Sequence, residues 1–290
     1  MKKTLTVILV SVCIVIIPFL FLSCSDSNTV NTDINKFPIT KEIGNYIIDI
    51  EYTKLYKNSL ITKYYITTKD GSNISSSNIS VVIDDINRVI DYGIFPSTVV
   101  TENISNNKLV VVEEFFIVVK DSNFININYE LGGNNLQNFS DKEKKIEGSY
   151  YINESSDGYK DINKKFLVDG INFTIQSITN FDLGSIINFY TYDTDINNPT
   201  NQYEYILDNY ELKLKSGQYT KIYEIKSLIE YTDNNIVNNL ISLGNYDKNM
   251  QYISFFQGNL IYNNDEVNTN DMQVYLVNKN TGEETLIYSN

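Results

Sequence analysis

From Pro38 onward, apolar and β-branched residues come in short runs that alternate with polar ones and end at Gly, Asn or Asp. In YIIDIEYTKL (46–55), Ile48, Ile50 and Tyr52 share one face at the two-residue period of a strand. SLITKYYITT (59–68) follows and is closed by the turn residues Lys69-Asp70-Gly71-Ser72. LVVVEEFFIVV (109–119) and FININYEL (124–131) predict two further strands, joined across Lys120-Asp121-Ser122-Asn123. MQVYLV (272–277) and ETLIYS (284–289) flank a hairpin turn in which Gly282 is free to take a positive φ. VVIDDINRVIDYG (81–93) also fits a helix, but its β-branched content and the Asp84-Asp85 break favour two short strands. Helical periodicity is clearer in NNIVNNLISLG (234–244), where Ile236, Val237, Leu240 and Ile241 form a stripe, Asp233 offers an N-cap and Gly244 a stop.

Strands of this length, recurring every ten or so residues, predict a mainly all-β protein of the β-sandwich type. A weak internal repeat divides it. Residues 44–66 align without gaps onto 170–192, with Gly44/Gly170, Thr53/Thr179, Ser59/Ser185, Ile61/Ile187 and Tyr64/Tyr190 identical. Those identities are few for so biased a composition; the shared layout of Gly, strand, polar turn and strand carries more weight. The second copy follows NESSDGYKDINKK (153–165), which is polar. The expected organisation is two tandem sandwiches, residues 40–150 and 166–290, joined by a linker over 151–165.

The N-terminus is different. Lys2 and Lys3 precede an apolar run from Leu5 to Leu22, the layout of a secretory signal peptide or of an uncleaved membrane anchor. Leu22-Ser23-Cys24, a small residue directly before a cysteine, resembles the lipobox of bacterial lipoproteins, with Phe21 where Leu is usual and Leu20 one place early. The resemblance covers residues 1–24 alone. It implies that residues 1–23 are removed as a signal peptide and that the Cys24 thiol carries a diacylglyceryl group. The palmitate-type chains of such an anchor hold stably in pairs, at ~0.8 kcal/mol per buried CH₂. Residues 24–39, largely small and polar, then form the lipidated cysteine and a flexible tether. The expected location is the cell membrane or cell surface, lipid-anchored and extracytoplasmic. Cys13 would leave with the signal, and no other thiol would remain for a disulfide or a thiolate metal site.

A second resemblance lies further on. FLVDGINFTIQSI (166–178) and IINFYTY (186–192) are similar to the opening hairpin of Ig-like repeats in bacterial envelope proteins, including anti-sigma-factor-like ectodomains. That likeness implies Ig-like sandwiches in both halves and transfers no site residue.

Composition excludes more than it assigns. The formal charge is −13 and Arg88 is the sole arginine, so phosphate recognition and nucleic-acid binding are ruled out as expectations. Histidine is absent, which removes Ser-His-Asp and Cys-His nucleophile systems and most catalytic zinc or non-haem iron sites. Carboxylate-only chemistry survives, as in glycosidases, but no pair stands out among 36 acidic residues.

One constellation has ligand spacing. In DTDINNPTNQYE (193–204), Asp193, Asp195 and Asn197 fall at the first, third and fifth positions of a calcium loop. Pro199 could offer its carbonyl, Asn201 falls at the ninth position and Glu204 at the bidentate twelfth. Asn198 stands where the pattern has Gly, and the flanks read as strands, so a solvated hairpin loop is the favoured reading and calcium the alternative. Tyr-rich TKYYITT, GSYYINE and NQYEYILDNYELKL read as strands whose Tyr either fill the core or offer a contact face to a protein or glycan. Taken together, the sequence predicts a membrane-anchored, non-catalytic binding or interaction module with no cofactor beyond possible calcium. The alternatives are a carboxylate-based hydrolase and a structural or sensory ectodomain element of the envelope.

Overall fold

The computed structural model describes residues 37–74, 79–84, 94–117, 123–193, 202–231, 234–242, 246, 248–263 and 265–290. They are mainly antiparallel strand, as the alternation predicts. The first half holds β1 (Ile39–Ile43), β2 (Tyr46–Leu55), β3 (Ser59–Thr68), β4 (Ser80–Asp84), β5 (Ile94–Ser105), β6 (Lys108–Ile117), β7 (Phe124–Gly132) and β8 (Lys145–Asn153). One sheet runs β1-β2-β3-β6-β5 and the other β4-β7-β8. Between them Ile48, Ile50, Tyr64, Leu109 and Val111 of the first sheet meet Ile125, Ile127, Tyr129 and Ile152 of the second. A single helical turn, α1 (Asp141–Lys144), leads into β8 behind a capping box made by Ser140 and Glu143.

The second half repeats this plan. It holds β9 (Tyr159–Val168), β10 (Ile171–Phe181), β11 (Gly184–Asp193), α2 (Gln202–Asn209), β12 (Tyr210–Ser216), β13 (Tyr219–Tyr223), β14 (Ile225–Tyr231), α3 (Asn234–Ser242), β15 (Tyr252–Ile261), β16 (Gln273–Asn278) and β17 (Glu284–Ser289). Its sheets run β9-β10-β11-β15-β14 and β13-β12-β16-β17, the first of them matching the strand order of the β1 sheet. Gly44 and Gly170, aligned in the repeat, both take positive φ, +53 and +79, at the turns into β2 and β10. Phe173, Ile175, Phe189 and Phe256 pack against Leu212, Leu214, Val274 and Leu276 to form the second core.

The two sandwiches meet face to face through the outer sides of their larger sheets. Tyr56, Ile61, Val99, Val100 and Val112 of the first half pack with Ile186 of the second. Phe116 enters a cluster with Tyr190, Phe255 and the α3 residues Val237 and Leu240. This explains why the central strands do not alternate. In β6, Leu109, Val111, Phe115 and Ile117 fill the first core, while Val112 and Phe116 face the second sandwich. A strand covered on both faces reads as a nearly continuous apolar run. β15, buried along almost its whole length, follows the same logic.

Three readings change. The NQYEYILDNYELKL stretch is not all strand: Gln202–Asn209 is the helix α2, with Ile206 buried and Tyr205 exposed, and only Tyr210 onward is strand. Residues 151–165 carry the end of β8 and much of β9. Of VVIDDINRVIDYG, β4 accounts for the start, and residues 85–93 lie outside the described residues.

Candidate functional site

A cleft of about 850 Å³ opens where the turns at one end of the second sandwich approach β2 of the first. Lys54 comes from β2, Asp157 and Gly158 from the β8–β9 connection, and Asn180 to Asp182 from the β10–β11 hairpin. The β12–β13 turn adds Ser216 to Tyr219, and the β15–β16 loop adds Asp265 to Thr269 and Asp271. Glycine is required at 158: its φ is +77, and a Cβ there would lie 2.4 Å from the Asn180 carbonyl oxygen. The Gly158 carbonyl in turn accepts from the Asn180 amide at 2.8 Å, which fixes this wall.

The loops are tied to one another. Ser216 Oγ donates to Asp271 Oδ1 at 2.6 Å and accepts from the Asn268 amide at 3.0 Å, fastening the β15–β16 loop to the β12–β13 turn. Asn268 Oδ1 accepts from the Asn270 amide, and Asn290 donates to the Thr269 carbonyl. Asp182 is held from the other sandwich: Tyr52 donates to its Oδ1 at 2.9 Å, and the Lys63 ammonium pairs with Oδ2. Lys63 is only 5% exposed and also pairs with Glu51 at 2.9 Å. Burial alone would lower its pKa, but the bonds to Asp182 and Glu51 outweigh it, and the ammonium is held well above its ordinary value. Tyr52 is raised too, by burial first and then by Asp182.

Among the described lining residues, Asp157, Asp182, Asp265, Glu266 and Asp271 face a single cation, Lys54. Lys54 lies 3.5 Å from Asp157, whose carboxylate is largely in water while Lys54 is part-exposed, so that pair contributes little. A cleft of this charge attracts cations and donors of hydrogen bonds and repels phosphates.

Two further carboxyls, Glu113 and Glu114, sit next to each other on β6 and were not singled out by spacing or motif. Glu114 is fully buried between the sandwiches, where its Oε1 accepts from Ser59 Oγ and, at 3.2 Å, from Asn188 Nδ2. Glu113 points the other way, into the first sandwich, beside the Tyr64 hydroxyl. Burial pushes each of them up to about 7, against the hydrogen bonds that favour the ionised form. The signal that could have found them is the Glu-Glu pair itself, set in the apolar run LVVVEEFF.

The residues proposed from sequence are placed as follows. Cys24 lies outside the described residues, as do Asp195, Asn197 and Asn201. Asp193 closes β11, and Glu204 lies exposed in the first turn of α2, so the loop leaves a strand and enters a helix rather than a second strand. Among the described residues, no three acidic, His or Cys side chains are grouped as a metal site. Of the Tyr-rich stretches, Tyr64, Tyr150 and Tyr210 are core residues, whereas Tyr65 and Tyr151 are half-buried. No described helix is long and apolar enough to cross a membrane.

No protein-family model and no curated protein matches the chain. Among solved structures, the crystal structure of the conserved domain protein from Bacillus anthracis is similar over 87% of this chain and 84% of that one, at 11% identity and a TM-score of 0.41.

Proposed function

We propose that this chain is an extracytoplasmic lipoprotein, anchored in the membrane through a diacylglyceryl group on Cys24, whose folded part is a non-catalytic binding module. The observation that supports the binding role is the cleft: its walls are turns of the second sandwich and the β8–β9 connection, set against Lys54 of the first sandwich and tied by Asp182, Lys63 and Ser216, so its shape is set before any ligand arrives. Preorganisation of this kind reduces the cost of ordering loops on binding. The acidic lining favours a cationic protein segment or a hydroxyl-rich glycan as the partner.

The experiment uses the full chain produced in a bacterium. Intact mass and detergent partitioning, beside Cys24→Ala, test the anchor: acyl mass on a chain beginning at Cys24, lost in the variant, supports it. Panels of basic peptides and of neutral glycans test the cleft, with Asp265→Asn/Glu266→Gln as the comparison. Retention of a ligand by the native cleft and at least a tenfold loss in the double variant support the module. Turnover of a bound glycan would instead favour the carboxylate-based hydrolase, and equal binding by the double variant would move the site elsewhere.

A further inference from the structure

The first sandwich has its own cavity, separate from the cleft. It measures about 290 Å³ and opens between β4 and β5, the adjacent edges of the two sheets. Its apolar floor is Ile79 and Val111, and Ser80, Thr98 and Thr101 bring hydroxyl groups to its walls. Thr98 and Thr101 are exposed and mark the mouth. Glu113 completes the lining, together with the ring and hydroxyl of Tyr64.

The hydrogen bonding of these groups is incomplete. Tyr64 is fully buried, its hydroxyl accepts from the Val81 amide at 3.3 Å, and it is also hydrogen-bonded to Glu113. Glu113 Oε2 is buried with no partner. No lysine or arginine is among the described lining residues, so nothing there offsets a carboxylate charge. A buried acceptor left unfilled costs about 1–3 kcal/mol, and more when it is charged. Such a group, desolvated in a cleft beside a hydroxyl, is the pattern of a binding site.

From this we infer that the cavity is a site for a small organic cation: a primary ammonium group on a short apolar stem. The ammonium supplies the positive charge and the N–H donors that Glu113 lacks. The broad, two-fold torsion of a carboxyl end lets either oxygen turn toward it. Remaining N–H groups meet the hydroxyl oxygens of Thr98, Thr101 or Ser80, and the stem lies on Ile79 and Val111. A metal ion fits less well, because one carboxylate among hydroxyls is too weak a charge set for a divalent ion.

The probe is n-butylammonium chloride, titrated into the full chain at pH 8 and followed by amide NMR, with n-butanol as the uncharged control. Saturable shifts at Ser80, Thr101 and Glu113 with the amine and none with the alcohol are the expected result. Glu113→Gln, which keeps the shape of the side chain, should weaken binding at least tenfold. Because a core substitution could also impair folding, Thr101→Tyr provides an independent arm: it changes an exposed position, blocks the mouth and leaves Glu113 intact, and it too should abolish the shifts. The site is refuted if the amine gives no saturable shift, if butanol binds equally well, or if both variants bind like the native chain. Equal binding of butanol would make the cavity an apolar pocket indifferent to charge, and native-like binding by both variants would place the amine elsewhere on the chain. Failure here leaves the acidic cleft untouched, since the two sites share no lining residue.

Discussion

Glu113 and Glu114 are neighbours on one strand, and they differ in what faces them. Each loses water on folding and is pushed up to about 7 by that loss. Glu114, turned toward the second sandwich, is met by Ser59 and Asn188 and so joins the halves by a polar contact inside an apolar seam. Glu113, turned toward the first core, has the Tyr64 hydroxyl on one side and a cavity on the other. Strand pleating makes this contrast unavoidable: consecutive side chains point to opposite faces, and here both faces are covered. Each keeps one buried oxygen, Oε2, without a hydrogen-bond partner, so the same residue type is a structural tie on one side and a cavity wall on the other, and the difference lies in the partners of the remaining oxygen and in the open space beside Glu113.

The largest effect that could sharpen this contrast is on pH dependence. For both carboxyls the folded value, about 7, lies above the ordinary 4.5. Between those values the folded chain binds more protons than the unfolded one, so stability is fully present below about pH 4.5, falls as pH rises to about 7 and then levels off. Each group contributes up to about 3 kcal/mol to that fall at 1.36 kcal/mol per pH unit. Urea unfolding at pH 5 and pH 8 should show the native chain losing stability, and Glu113→Gln/Glu114→Gln losing markedly less. A native chain equally stable at both pH values would mean that water reaches both carboxyls.

Next in size is truncation. At pH 5, where both groups are protonated, Glu114→Ala should cost about 3 kcal/mol, since it strands Ser59 and Asn188 and leaves a void between the sandwiches. Glu113→Ala should cost about 1 kcal/mol, because the void it leaves joins an existing cavity and only the Tyr64 hydroxyl loses an acceptor. Equal losses would erase the distinction between tie and site.

Much of this architecture was legible in the sequence. Alternation located β2, β3, β7, β16 and β17, and the stripe of Val237, Leu240 and Ile241 located α3. The aligned glycines 44 and 170 marked turns that both proved to need positive φ. What failed did so for physical reasons. Tyr and Ile in QYEYILDN suit either period, so only packing, with Ile206 buried and Tyr205 exposed, decides for α2. The polar stretch over β9 looked like a linker because β9 is an edge strand, and edge strands carry Lys and Asp that keep other chains from pairing. The cleft was less legible still. Its residues come from five separate parts of the chain, and nothing in local spacing connects Lys54 to Asp182 or Asp271.

A smaller effect tests whether the seam acts as a unit. Asn188→Ala removes one donor to Glu114 and should cost about 1 kcal/mol. Combined with Glu114→Gln, the two changes should depart from additivity by about 0.5 kcal/mol or more, because Asn188 contacts both Ser59 and Glu114. The same cycle built from Asn188→Ala and Glu113→Gln should be additive, since Asn188, on β11, meets β6 on the Glu114 face and Glu113 points to the opposite face.

The smallest effect is the most selective. Lys226, on β14, donates to the Thr98 carbonyl at 2.8 Å and lowers the pKa of Glu114 through its charge, whereas no such contribution reaches Glu113. Replacing it in Lys226→Met should raise the titration midpoint of Glu114 by a few tenths of a pH unit and leave Glu113 near 7. Side-chain carboxyl carbons followed by NMR from pH 5 to pH 9 resolve the two midpoints, and single Glu→Gln variants assign them. If only the Glu114 midpoint moves, the two faces of β6 are electrically distinct as well as sterically so. If both move together, the charge of Lys226 acts through the sheet, and the cavity and the seam titrate as one coupled pair.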